Sequence, residues 1–308
     1  MLADSYHGDG AFDRQYLEAG SSASFTTARM AWYTHIMLIA MNIILYVLVF
    51  AIGAVIGSFL NVLIYRLPRK LDFVKGFSHC PNCDHRLFPK DLVPIFSYLF
   101  LGRKCRYCGE PISSRYMFVE LFAGLLAVLS WTAFFPPIAF LAQTLAPGAT
   151  MAVFAGNTLI YFAVLSCLIA VAYIDHDTME IPDSLSIAIA VCGVLAIFFG
   201  PDIGLKSHLI GIVVAAGPLF VIALFIDGAF GFGDVKLMAA AGLFLGWQNC
   251  LVALFIGIVI GGVYGIILLA TKKKGRKDHF AFGPSLCIGI GAAMFFGRDI
   301  IGWYTTFF

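Results

Sequence analysis

The chain is laid out as long apolar runs separated by short polar gaps. A helix that crosses a membrane needs about 20 mostly apolar residues. That length rule predicts helices over 38–64, 117–136, 153–174, 184–200, 209–227, 236–248, 250–270 and 282–303. The sixth is short for a span and contains Gly242 and Gly246. It is expected to tilt, to sit in thinned bilayer, or to share its boundary with the seventh. Glycines spread through the other runs suit close helix packing. Residues 1–37 are more polar and lack the basic start, short apolar core and cleavage site of a secretory signal. They read as a flexible tail, and Met41 would be a more ordinary start for such a chain.

Composition supports the same class. Of 308 residues, 60% are hydrophobic and only 12% are charged, against about 25% charged in an ordinary soluble domain. The fold expected is all-α, a polytopic membrane protein of about eight spans whose surroundings are the lipid bilayer. The net charge of +2 matters less than its distribution. Lys and Arg gather in 66–116 and in the run from Lys272 to Lys277. Cytoplasmic loops collect such residues. Eight spans put both clusters on one side, whereas seven would separate them. The same count brings Asp175, at the end of the third helix, and Asp234, at the start of the sixth, to the cytoplasmic boundary. No nucleic-acid partner is expected.

Four of the eight cysteines form two pairs, Cys80–Cys83 and Cys105–Cys108. Two C-x2-C pairs at this separation approach the template of a four-cysteine zinc site. Each pair presents two thiolates from a tight turn, and four thiolates close a tetrahedral shell. Such a shell leaves no open position, so a structural zinc is expected in a cytoplasmic loop. In a reducing compartment metal is favoured over disulfides. His79 and His85 flank the first pair as bystanders. Asp91 and Glu110 read as solvated charges. Cys167, Cys192, Cys250 and Cys287 stand singly in apolar runs and read as small hydrophobes.

The carboxylates are more pointed. Ionisable groups in membrane helices are costly and tend to mark function, although a lone Asp at a helix end also serves as a cap or an interface charge. Asp234 closes the sequence Gly231-Phe232-Gly233-Asp234, in which the glycines permit close approach of backbone. Two carboxylates held together share one proton. One then acts as base toward water and the other polarises a carbonyl. Asp177 and Glu180 read as loop charges, and Asp183 as a cap for the fourth helix. Neither H-E-x-x-H nor G-x-S-x-G occurs.

Taken together these segments resemble the bacterial type IV prepilin peptidases. The resemblance runs over roughly 41–300. It rests on Gly57-Ser58-Phe59-Leu60-Asn61, Tyr65-Arg66-Leu67-Pro68, both cysteine pairs, Asp91-Leu92-Val93-Pro94-Ile95, Val119-Glu120-Leu121, Ile174-Asp175, Ile181-Pro182-Asp183, the G-x-G-D element and Phe282-Gly283-Pro284. It implies catalysis by Asp175 and Asp234. It also implies prepilin and pseudopilin substrates of type IV pilus and type II secretion systems, cut at the cytoplasmic face of the inner membrane. The new N-terminus would be methylated from S-adenosylmethionine, for which no binding fingerprint is visible. The implied organisation is a tail (1–37), an N-terminal membrane part with the cysteine loop tied to methylation (38–136), and a peptidase membrane domain (137–308). Two other readings use part of the same residues. A transporter with paired carboxylates would want them near the bilayer midplane. A zinc-dependent scaffold leaves the G-x-G-D element unexplained.

Overall fold

The structure is a computed structural model and describes residues 10–135, 151–199, 204–225, 230–271 and 280–307. The basic run from Lys272 to Lys277 lies outside the described residues. Among those described the chain is helical, with no strand and two isolated bridges, His79–Arg86 and Lys104–Pro111. The helices are α1 (Gly10–Arg66), α2 (Phe96–Phe100), α3 (Ser114–Phe134), α4 (Met151–Thr178), α5 (Asp183–Phe199), α6 (Leu205–Phe225), α7 (Phe232–Ala270) and α8 (Gly283–Thr305). Among the described residues helix therefore runs from Gly10 and covers much of the stretch expected as a tail. No proline occurs between 10 and 66, so nothing stops a helix from propagating out of its apolar part.

Among the described residues six helices are long and apolar enough to cross a membrane. α5, with 17 residues, is shorter. α7 has 39 residues, which at 1.5 Å each is about 58 Å, nearly twice the hydrocarbon core. It does not run straight. Gly246 has φ 74° and ψ 168°, outside the helical region. The Cys250 Sγ lies 3.8 Å from the carbonyl oxygen of Met238, 12 residues earlier. In a straight helix these positions would stand about 18 Å apart. α7 is thus two arms folded back on each other at Gly246. With α5 and the two arms counted separately, the eight apolar segments expected from the sequence are present. The sixth and seventh meet at Gly246, and α2 in the cysteine loop was not anticipated.

Val164, Val171, Ile189, Leu237, Leu286 and Ile290 are buried between helices, while Val47, Ile187, Val213, Phe255 and Phe296 face outward. An apolar exterior around an apolar interior is the pattern of helices solvated by lipid. Small residues set the tightest contact. A Cβ on Gly242 would lie 2.1 Å from the carbonyl oxygen of Gly211 in α6.

Three polar contacts bring the functional segments to one end of the bundle. Arg115, in the first turn of α3, pairs with Asp177 in the last turn of α4. Lys236 of α7 reaches Asp183 of α5 at 2.8 Å. The Gly283 N–H of α8 donates to Asp175 of α4 at 2.8 Å. The cysteine loop, between α1 and α3, emerges at the same end.

Gly242→Ala should therefore destabilise the bundle by about 1–3 kcal/mol, because its β-carbon meets backbone and not a movable side chain. Gly246→Ala should destabilise it through strain at positive φ. Gly262, where an added Cβ meets nothing within 4 Å, is the control. Thermal unfolding in detergent micelles reads all three. A midpoint for Gly242→Ala equal to the parent's would contradict the close α6–α7 contact.

Candidate active site and metal centre

Asp234 sits in the first turn of α7. Its Oδ2 accepts from the Gly231 N–H at 3.1 Å, while its own N–H donates to the Gly231 carbonyl at 3.0 Å. A first-turn carboxylate lies at the positive end of the helix dipole and satisfies an N–H that has no intrahelical partner. Asp175 performs the same service from outside. It lies in the last turns of α4, and its Oδ2 accepts the N–H of Gly283, the first residue of α8. Pro284 follows and has no N–H to offer.

Both aspartates are buried, at 5% and 7% exposure, and Asp234 lies within the field of Asp175. Neither forms an ion pair among the described residues. Arg115 is engaged by Asp177 and Lys236 by Asp183, and His176 lies within the field of Asp175. The thiol of Cys287, buried in α8, lies within the field of both carboxylates. Sequence reading had placed it among the small hydrophobes, since a single Cys in an apolar run carries no signal of what lies across the bundle.

Packing around the pair is tight on one side. A Cβ on Gly283 would lie 2.6 Å from Asp175 Oδ2, and one on Gly233 would lie 3.0 Å from the Ile181 Cβ. Gly231 differs. A Cβ there would make only an ordinary contact, 3.5 Å from Asp234 Oδ2. Of the two glycines expected to permit close approach, Gly233 does so within the fold, whereas among the described residues Gly231 is not closely approached. The rings of Phe230 and Phe282 meet edge to face at 5.0 Å, joining the segments that lead into α7 and α8.

Two acids differ from their sequence reading. Asp177 is not a loop charge: it lies within α4 and pairs with Arg115, whose guanidinium sits 4.7 Å from the centre of the Tyr173 ring. Asp183 begins α5, but its carboxylate takes Lys236, at 2.8 and 3.0 Å, in place of a free helix N–H. Such partly exposed pairs contribute about 0–1 kcal/mol each, so their effect is mainly to orient segments. Glu180 is exposed.

The four cysteine Sγ atoms of the loop lie within 4.8 Å of one another, with Cys80 and Cys105 buried and Cys83 and Cys108 exposed. The two half-sites share one geometry. Cys80 N–H donates to His85 O and Asp84 N–H to Cys80 O; Cys105 N–H donates to Glu110 O and Gly109 N–H to Cys105 O. Asp84 and Gly109 both have positive φ. A tetrahedral zinc with Zn–S of about 2.3 Å needs sulfurs about 3.8 Å apart, and Cys80 and Cys108 Sγ are 3.9 Å apart. The backbone N–H groups of Cys108 and Tyr107 lower the Cys105 thiol to about 7, toward the thiolate that binds metal. The donor set therefore fits zinc. The His85 ring stacks on Tyr107 at 3.8 Å, outside this cluster.

Asp91 is not a solvated charge. It is buried and accepts from Arg106 Nε at 2.6 Å and from the Tyr107 hydroxyl at 2.9 Å. Burial opposes its charge, but these donors outweigh it and hold the carboxyl below its ordinary range. Nothing in the spacing of Asp91, Arg106 and Tyr107 announced that they would meet.

Two buried aspartates at one end of a bundle of apolar helices, with a four-thiol loop emerging at the same end, define an integral membrane protein with a carboxylate site and a metal loop. Known proteins narrow this. The Bacterial Peptidase A24 N-terminal domain matches residues 51–134, and the Type IV leader peptidase family matches 162–266. The prepilin leader peptidase/N-methyltransferase of Aeromonas hydrophila is 32% identical over 292 residues, 85% of this chain and 94% of the relative. That of Burkholderia pseudomallei (strain 1026b) is 31% identical over 285 residues, covering 81% and 85%. That of Bacillus subtilis (strain 168) is 32% identical over 259 residues, covering 83% and 96%. No solved structure is significantly similar. The chain belongs to the type IV leader peptidase family.

Purified without chelator, the protein should carry about one zinc per chain. Cys80→Ser and Cys105→Ser should each reduce that content and loosen the loop to limited proteolysis. Elemental analysis showing no metal in the parent protein would count against the four-thiol centre.

Proposed function

We propose that this chain removes the leader peptide from type IV prepilins and pseudopilins, using Asp175 and Asp234, and methylates the amino group that cleavage exposes. The observation that carries the reading is the pair itself: two buried carboxylates from different helices, each held by a helix-start N–H at one end of the bundle. The names of the relatives, prepilin leader peptidase/N-methyltransferase, support both activities.

The mechanism follows from the arrangement. The pair shares one proton. The ionised member takes a proton from water, and the protonated member hydrogen-bonds the scissile carbonyl as the water attacks. The Gly283 and Gly231 N–H groups fix the direction of each carboxylate, so orientation does not have to be recovered in each cycle. Gly231, where an added Cβ would meet Asp234 Oδ2 at 3.5 Å, offers backbone beside the carboxylate for the approach of an extended peptide. Arg115 and Asp177 position the end of α4. Zinc, held by Cys80, Cys83, Cys105 and Cys108, would brace the loop without touching the chemistry. The methyl donor, S-adenosylmethionine, would supply the methyl group.

We assign cleavage to the part containing α4 to α8 and methyl transfer to the part containing α1, the loop and α3. The end of the bundle that carries the aspartates and the basic loop is assigned to the cytoplasmic face of the inner membrane. A transporter is not favoured, because both carboxylates gather at one end of the bundle and not near its middle.

Asp175→Asn and Asp234→Asn should each reduce prepilin processing by roughly a thousandfold or more, and the double variant should be no worse than either single one. Gly283→Ala should impair processing by displacing the Asp175 carboxylate, and Gly231→Ala much less. Asp177→Asn should retain activity within about tenfold, since an orienting pair is lost and not a proton carrier. Processing at matched expression measures all of these. Robust cleavage by either Asn variant would sink the aspartyl mechanism.

A further inference from the structure

A cavity of about 650 Å³ lies away from the aspartate pair, between α1, the cysteine loop and the start of α3. Its walls include Ser58, Asn61, Tyr65, Tyr98, Tyr116 and Glu120. All its lining residues fall between 55 and 120, within the part that matches the N-terminal domain of the family, and none comes from the peptidase part.

Glu120 is the unusual member. It is 8% exposed. Its Oε2 accepts the Ile95 N–H at 2.7 Å, and the Ser58 hydroxyl also bonds it. Both donors are neutral, and no ion pair involves Glu120 among the described residues. Asp91 on the same wall differs, since Arg106 already neutralises it, and Arg66, also on the wall, directs its guanidinium to the carbonyls of Asp72, Lys75 and Phe77 and not to Glu120. A buried carboxylate without a cation is costly, and one that borders a cavity of ligand size has room for the missing charge.

The backbone beside it is strained in a way that fits. Ile95 has φ 64° and ψ −52°, and the Phe96 N–H donates to the Pro94 carbonyl at 2.6 Å. This is a γ-turn of the rare, positive-φ kind, centred on a β-branched residue. Strain of this sort persists where the surroundings impose it, as at ligand clamps. The turn aims the Ile95 N–H at Glu120 and so holds the carboxylate at the cavity wall.

We propose that this cavity is the site of the cationic methyl donor and that Glu120 is its counter-charge. The proposal rests on the methyl-transfer reading above. A donor of this class carries a sulfonium and an ammonium on an adenosine. Arg69 already lies over the Tyr65 ring at 4.1 Å, so Tyr98 and Tyr116 are the wall rings left to meet the adenine and the sulfonium. In the transfer, the lone pair of the exposed amine forms the new C–N bond. The C–S bond breaks with its electrons passing to sulfur, and the amine proton leaves to solvent. Sulfur thereby loses its charge, so attraction to Glu120 weakens as the product forms. One ion pair links the two regions: Arg115 precedes the wall residue Tyr116, and its partner Asp177 is two residues from Asp175.

Glu120→Gln separates charge from structure, because the amide carbonyl can still accept from Ile95 and Ser58. Calorimetric titration of the purified full chain in lipid nanodiscs should show S-adenosylmethionine binding about tenfold or more weakly to Glu120→Gln than to the parent. S-adenosylhomocysteine, which lacks the sulfonium, should lose less. Val62→Trp, which fills the cavity, should abolish binding of both. Zinc content and thermal midpoint report that each variant is folded. Parent-like affinity for S-adenosylmethionine in a folded Glu120→Gln or Val62→Trp protein overturns the site while leaving the methyl-transfer reading intact. A parent protein that cleaves prepilin but binds no donor overturns both. If a leader-free peptide is the ligand whose affinity depends on Glu120, the carboxylate serves the acceptor and the proposal fails.

Discussion

A carboxylate buried among membrane helices must find its hydrogen-bond donors within the protein, and here two helix starts provide them. Gly283 and Asp175 are separated by 108 residues, yet their contact pins the first turn of α8 against the last turns of α4. Gly231 and Asp234 make the local version in α7. Lipid offers no water to satisfy these orphan N–H groups, so the need of the helix ends and the need of the carboxylates meet in one solution. Much else follows from it. Residue 283 has no room for a side chain, Pro284 removes a donor that would otherwise be unpaired, and the rings of Phe230 and Phe282 close over the junction.

The N-terminal part is built on a comparable economy, with a turn in place of a helix start. Glu120 in α3 receives the Ile95 N–H from the cysteine loop, and Asp91 in the loop receives Arg106 and Tyr107 from its other half. Buried acids thus knit the loop to itself and to the membrane helices. Arg115 then ties this part to α4 through Asp177. The loop is held from three directions even before its thiols are considered.

What was legible in the sequence was whatever a single constraint writes locally. Bilayer thickness writes itself as runs of about 20 apolar residues, so apart from the start of α1 the helix positions were readable to within a few residues. Thiol geometry writes itself as C-x2-C, so the four-sulfur cluster was readable too. That Asp175 and Asp234 stand at helix ends was readable from the same spans. Contacts set by tertiary packing were not. Arg115 and Asp177 stand 62 residues apart, and Asp91 looks like any loop acid until Arg106 and Tyr107 close on it. Glu120 sits within an apolar helix where only the cavity beside it gives it meaning. Polar composition made 1–37 look like a tail, since composition does not register that helix can propagate from one side.

The reversal of α7 at Gly246 bears on how the chain enters the membrane. Its first arm, Phe232 to Leu245, is about 21 Å long, short of the roughly 30 Å of hydrocarbon. By itself that arm is a poor candidate for lateral release from the insertion machinery, and it carries Asp234 and Lys236 at its head. Folded against the longer second arm, with the Cys250 thiol at the Met238 carbonyl, it becomes half of a hairpin whose apolar length is ample. The two arms are best understood as integrating together, so Asp234 reaches its depth only after the chain beyond Gly246 has been synthesised.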